Sequence, residues 1–295
     1  MQTVIDKNQS TLSRHYDSNT YFFELEKICL DALRFEVMTW PKPGLVSPVD
    51  SGSHRDMHLG TFFLSIDALQ GIFAALARAG ASERPFTALQ NIGIEAEHKM
   101  LKATGGINTH RGAIFNLGLL IAAAARKRVD STMMQLNCGE IVAKLWGAEI
   151  LSGREKDPSS HGNLAFQKYA HGGARMEAAS GFPTVYKTGL PILSNLIEKG
   201  YDRDTALIGT LMAIMEHLPD TNLLWRGSKE GLAFVQRSAA NFNLSGGVQA
   251  HDWQPRLLAL HREFVARNLS PGGSADLVAA TWTVHRLDNL YKNND

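Results

Sequence analysis

Residues 113–125 read Ala-Ile-Phe-Asn-Leu-Gly-Leu-Leu-Ile-Ala-Ala-Ala-Ala, apolar almost all the way round a helix. A helix with no polar face has to be enclosed by other elements, so this stretch predicts the centre of a core. It is interrupted by Asn116 and is too short to span a bilayer. Before it, Phe86, Leu89, Gly93, Ala96, Met100 and Ala103 recur at steps of three and four, which predicts an amphipathic helix over 86–103. The connection is Thr104-Gly105-Gly106-Ile107-Asn108-Thr109-His110-Arg111. Its glycines make the turn, Asn108 and Thr109 are candidate N-caps, and His110 and Arg111 stand in the first turn of the apolar helix. Unpaired N–H groups, the positive helix end and two basic side chains together make a candidate anion site. A capped core helix with two incidental basic residues is the competing reading.

No segment keeps a period-two alternation, so strands are expected to be absent or minor. The expected fold is all-α, a single large helical domain of roughly a dozen helices around the buried one. Residues 1–18 read as a flexible lead and 19–295 as the all-α catalytic domain. Other helices are expected from 19 to about Trp40, directly after residue 57, over 131–151, about 186–199, 203–218, 228–241 and 252–267, and from Ser274 to about Tyr291. The helix after residue 57 carries Phe62, Ile66, Leu69, Phe73 and Leu76 as one buried stripe, and Pro219 suits the first turn of a short helix. The polar stretch 152–165 is a candidate boundary or lid.

The chain has 295 residues with a formal net charge of +1, which argues against a general nucleic-acid binder. Cys29 and Cys138 have no nearby cysteine to pair with, and the N-terminal stretch is polar. Both suit a cytoplasmic protein that uses no membrane, and they leave a homo-oligomer open.

Several Gly-containing turns carry a carboxylate and a basic residue near a helix end. They are 42–56, with Lys42, Asp50, His54, Arg55 and Asp56; 104–111, preceded by Glu97; 171–177, with Arg175 and Glu177; and 219–226, with Asp220, Asn222 and Arg226. A last Gly-Gly turn precedes Ser274 and Asp276. Such turns suit a polyphosphate held by basic groups and backbone N–H, with carboxylates recruiting Mg²⁺. Hydrophilic ends of an ordinary bundle compete with that reading, and an Asp-x-Asn pair is as good a cap as a metal ligand. Walker A, Rossmann, G-x-S-x-G and H-E-x-x-H patterns are all missing.

In combination and in order, the segments KPGLVSPVDSGSHRDM, EAEHKMLKATGGINTHRGAIFNLGLL, GGARMEAASGFP, DTNLLWRG and NLSPGGSADL resemble the triphosphoribosyl-dephospho-CoA synthases, over about residues 25–290. SPVDSGSH is more similar to the malonate-decarboxylase branch than to the citrate-lyase branch. The resemblance implies that ATP loses adenine and passes its triphosphoribosyl group to the ribose 2′-hydroxyl of 3′-dephospho-CoA. The product would be the precursor of an acyl-carrier-protein prosthetic group, handed to an acyl-carrier-protein loading enzyme. Such a reaction needs carboxylates near an oxocarbenium-like C1, a base for the hydroxyl, a proton donor for adenine, and basic groups with Mg²⁺ for the triphosphate. Carried over to matching positions, the resemblance implies Glu97, Asp56, Glu177 and Asp276 as catalytic carboxylates. It implies Lys42, His54, Asn108, Thr109, His110, Arg175, Arg226 and Ser274 as substrate contacts, to which the helix start adds Arg111. Asp50, Asp220 and Asn222 become candidate Mg²⁺ ligands, and which carboxylate is base, acid or ligand stays open. Three positions depart from the family pattern: His58 replaces an acidic residue, Met176 a small one and Ser228 a glycine.

Glu97 flanks the buried stripe of its helix, whereas Glu95 points further round and can pair with Lys99. Two other functions remain open: an all-α Mg²⁺-dependent N-glycosidase that gives adenine to water, and a nucleotide-sensing helical protein without catalysis.

Overall fold

Small residues decide where the central helix can be crossed. The computed structural model describes residues 18–152 and 172–292. Among these are twelve α-helices and no strands. They are α1 Ser18–Met38, α2 Leu59–Ala68, α3 Ile72–Ala81, α4 Phe86–Ala103, α5 Arg111–Val129, α6 Cys138–Ser152, α7 Gly173–Ala179, α8 Leu190–Glu198, α9 Arg203–His217, α10 Thr221–Leu244, α11 Trp253–Ala266 and α12 Gly272–Lys292. The lead at 1–17 and nearly all of the candidate lid lie outside the described residues.

In α5, Ala113, Ile114 and every residue from Asn116 to Ala125 are buried. Helices α1, α3, α4, α6, α7 and α12 all pack against it. The closest crossing is with α3, where a Cβ on Gly80 would lie 2.2 Å from the Ala122 carbonyl oxygen. One turn earlier in α5, a Cβ on Gly118 would lie 2.8 Å from Leu76 Cδ1. The missing side chain of Gly80 is thus what lets the two backbones come this near. Helix α12 joins this half to the other, since it also packs on α1, α8, α9 and α10.

Two elements differ from the sequence expectation. The helix after residue 57 is two helices, bent by 44° where Gly71 takes φ 82°. Only glycine adopts that conformation without cost. Helix α6 begins at Cys138 rather than 131 because Asn137 and Glu140 cap each other: Glu140 N–H donates to Asn137 Oδ1 (2.9 Å) and Asn137 N–H to Glu140 Oε2 (2.8 Å). The short helix opened by Asp220 and the helix expected from 228 are both present as the two arms of α10. They meet at a break at Ser228, whose φ of 57° and ψ of −162° belong to a region nearly exclusive to glycine. That is a physical reason to expect a glycine at this position. Here the Ser228 hydroxyl donates to Glu230 instead.

Candidate active site

Three helix N-termini meet at the start of the central helix, and two carboxylates cap them. Asp220 is the N-cap of α10: its Oδ1 accepts from Asn222 N–H (2.9 Å). Its Oδ2 accepts from the Ser274 N–H (2.8 Å) and hydroxyl (3.1 Å) at the start of α12. A Cβ on Gly273 would stand 3.0 Å from that carboxylate, which explains the second glycine of the turn. Asp276 accepts from the Ala113 N–H at the start of α5, and a Cβ on Gly112 would lie 2.0 Å from its Oδ2. Burial pushes both carboxyls above the usual range, Asp276 the further because Glu36 and Asp220 add negative charge.

The positive charge in this junction is Lys42. Its Nζ lies 2.5 Å from Glu36 Oε1 and also donates to the Glu36 carbonyl; both side chains are buried. Glu36 was not among the sequence candidates, although it falls on the buried face of α1, four residues after Ala32 and seven after Cys29. A carboxylate at such a position is a legible signal, because burial is costly unless it is paired. Beside it, His110 Nδ1 lies 2.6 Å from Ser65 Oγ, and Phe62 packs edge-on at 5.0 Å. Burial and the Lys42 charge push His110 down to about 3, so the ring is neutral. Its Nε2 and the Thr109 hydroxyl are buried with no hydrogen-bond partner.

The loop 42–57 is tied down at both ends. Asp50 accepts from Gly52 N–H (2.8 Å) and faces His261 Nε2 at 3.2 Å. Arg226 donates to the Ser53 carbonyl and to Asn268 Oδ1, both at 3.0 Å, and to His54 Nδ1 at 3.1 Å. That leaves His54 Nε2–H to donate to Ser270 Oγ (2.9 Å). Asp56 is exposed, 3.7 Å from His54. Burial, then Arg226, pushes His54 down to about 4 against the pull of Asp56.

These histidines set a pH dependence. The unfolded imidazole takes a proton near 6.5 that folded His54 refuses until about 4, so stability falls as pH falls through that window. Buried Asp220 and Asp276 act oppositely: raised carboxyls stabilise below the usual carboxylate range and lose that contribution as pH rises. Comparing variants separates the two. Between pH 7 and pH 5, urea unfolding of the wild type should lose about 2 kcal/mol more than that of His54→Gln, whose side chain cannot titrate. Parallel curves would mean that His54 titrates normally.

On the other side of the α5 start, Arg111 Nε donates to Glu97 Oε2 at 2.8 Å. Glu95 pairs with Lys99 at 2.9 Å on the exposed face, as its spacing suggested. Glu97 lines a cavity of about 400 Å³ between α4 and α5, with Phe86, Gln90, Gly93, Phe115 and Arg175 among its walls. Arg175 donates to the Ile150 carbonyl (3.2 Å) and lies 5.9 Å from the Phe115 ring centre. Glu177 points elsewhere: its two oxygens accept from the Thr184 N–H (2.7 Å) and hydroxyl (3.0 Å), which holds the turn into the next helix. Burial raises its carboxyl.

The helix start is less open to an anion than its sequence suggests. The Arg111 N–H donates to Asn108 Oδ1 (3.2 Å) and the Ala113 N–H to Asp276. An incoming phosphate would meet the Arg111 guanidinium rather than these backbone groups. Two of the three candidate Mg²⁺ ligands are likewise engaged: Asp220 caps α10 and α12, and Asp50 is held with Gly52 and His261, while Asn222 gives only its backbone N–H to the cap. Among the described residues, no group of three or more His, Cys, Asp or Glu is arranged to hold a metal ion. The donor set does not fit a protein-held Mg²⁺.

Residues 23–295 match the ATP:dephospho-CoA triphosphoribosyl transferase family. A probable 2-(5''-triphosphoribosyl)-3'-dephosphocoenzyme-A synthase of Acinetobacter calcoaceticus is 36% identical over 294 residues, 99% of either chain. The 2-(5''-triphosphoribosyl)-3'-dephosphocoenzyme-A synthase of Pectobacterium atrosepticum is 38% identical over 283 residues, 92% of this chain and 91% of its own. A probable synthase 1 of the same description from Salmonella typhimurium is 39% identical over 269 residues, 88% of this chain and 89% of its own. No solved structure matches. With the match running through nearly every turn described above, the chain belongs to the triphosphoribosyl-dephospho-CoA synthase family of transferases.

Proposed function

We propose that this protein transfers the 5-triphosphoribosyl group of ATP to the ribose 2′-hydroxyl of 3′-dephospho-CoA and releases adenine. The observation that carries the reading is that the turns 42–56, 108–112, 219–226 and 270–276, which bear the family motifs, interlock at the start of α5. The names of the relatives supply the product class. In the reaction the bond from C1 of the ATP ribose to adenine breaks, and its electron pair leaves with the base. The acceptor oxygen then bonds to C1. Glu97, ion-paired with Arg111, is a carboxylate at the cavity wall and suits the task of facing positive charge at C1 and taking the hydroxyl proton. Asp276, fully buried with its carboxyl raised by burial, lies outside that cavity and is read as the cap of the α5 start. Mg²⁺ is read as arriving on the ATP phosphates, which is its usual mode with nucleotides. SPVDSGSH supports service to malonate decarboxylase, with the product passed to an acyl-carrier-protein loading enzyme. Two buried free thiols, Cys29 and Cys138, are in keeping with a reducing cytoplasm.

Incubation of ATP with and without dephospho-CoA, followed by chromatography for adenine, tests the activity. Acceptor-dependent release supports the transferase. Release without acceptor means an N-glycosidase, and binding without release means a sensor. In the same assay Arg111→Ala should raise the KM for ATP roughly ten- to a hundredfold, the worth of one charged phosphate contact. An unchanged KM would make Arg111 a partner of Glu97 and no more.

A further inference from the structure

The proposed reaction does not say where the departing base sits. The cavity between α4 and α5 offers about 400 Å³, within the range of about 300–1,000 Å³ usual for small-molecule sites. Its walls are mostly aliphatic and aromatic, and its charged side chains are Glu97 and Arg175, one of each sign. Such a chamber offers nothing to balance a triphosphate. It suits a flat, uncharged heteroaromatic ring: apolar walls for the two faces, and the Gln90 carboxamide, which both donates and accepts, for the polar edge. Glu97 is bonded in turn to Arg111, which is partly exposed. A nucleotide whose base fills the chamber would therefore place its ribose near Glu97 and its phosphates outside, towards Arg111.

Gly93 makes the same point from the fold. A glycine in mid-helix is unfavourable, yet here a Cβ would meet no atom within 4 Å, and the residue lines the cavity. No close crossing requires this glycine, in contrast to Gly80 and Gly118. The space it leaves open is chamber.

We infer that this cavity is the pocket for the adenine base of ATP. The inference rests on the transferase reading. Dephospho-CoA also carries an adenine, but only the donor's base must separate from its ribose beside a carboxylate. Gly93→Leu fills the chamber from a position where a Cβ meets nothing within 4 Å, with a residue type that favours helix. With a stacked base worth an affinity factor of roughly ten to a hundred, the variant should raise the KM for ATP by that factor. The KM for dephospho-CoA should stay put, and the melting temperature should not fall. Gln90→Leu, similar in size but without an amide, should weaken the preference for ATP over GTP. An unchanged ATP KM in folded Gly93→Leu, a rise in the dephospho-CoA KM instead, or an ATP preference intact in Gln90→Leu would overturn the assignment. If the wild type releases no adenine when the acceptor is present, the transferase reading has failed. Calorimetric titration of ATP into wild type and Gly93→Leu then still decides the pocket: weaker binding to the variant upholds it, and equal binding overturns it.

Discussion

Lys42→Met should cost about 3–5 kcal/mol of stability, the range for removing one partner of a buried ion pair. Without the ammonium, Glu36 keeps its carboxylate in the interior near Asp276, whose own carboxyl is already pushed up by burial and then by Glu36 and Asp220. Three buried acids would then share one junction with no cation among them. The double variant Lys42→Met/Glu36→Leu removes the stranded charge together with its partner, and a buried pair exchanged for apolar side chains is often neutral. It should recover most of the loss in urea unfolding. A single variant as stable as the wild type, or a double variant no better than the single, would show that the pair does not behave as a buried one.

Glu97→Gln should lower kcat for adenine release by roughly two orders of magnitude or more, in line with the loss of an acid–base group. The substitution keeps the shape of the side chain and its reach to Arg111 while removing charge and basicity. Glu95→Gln, two residues earlier in α4, should change almost nothing, since an exposed pair such as Glu95–Lys99 is worth about 0–1 kcal/mol. Similar small effects from both would return Glu97 to the status of a surface carboxylate and shift the proton chemistry to Asp56, Glu177 or Asp276. The comparison is internal to one helix, so a general loss of folding cannot imitate it.

The parts of this molecule that one chain segment determines were legible from the sequence. The apolar run at 113–125 does form the enclosed helix, and the boundaries of α4 follow directly from its period. The Glu95–Lys99 pair needed only helical spacing. What the sequence could not give were features set by contact between distant segments. Nothing local says that Gly112 is small because Asp276 lies against it, or that the carboxylate of Asp220 belongs to two helices at once. Asp-x-Asn could be weighed as cap or ligand, and the deciding groups, the Ser274 N–H and hydroxyl, come from 54 residues further on. The same holds for the anion site. The glycine turn was visible, whereas the acid from α12 that already occupies the helix start was not. Glu36 was missed for a different reason: its partner lies six residues away, but across a proline-rich turn rather than along a helix.

The capping of α5 by Asp276 also has a meaning for how the chain is made. The junction draws the Glu36–Lys42 pair from the first helix and the turn after it, and Asp276 from the last helix, so it is complete only when both ends of the fold are present. As synthesis proceeds from the N-terminus, Lys42, Glu36 and the start of α5 emerge long before α12 can reach them. Until it does, the start of the central helix lacks its acid, the Asp220 N-cap of α10 has one of its three hydrogen-bond partners, and the apolar face that α12 covers is open to water and to other chains. The site is therefore the last thing to form rather than a module that folds early, and a chain shortened before residue 276 would lose the core along with the chemistry.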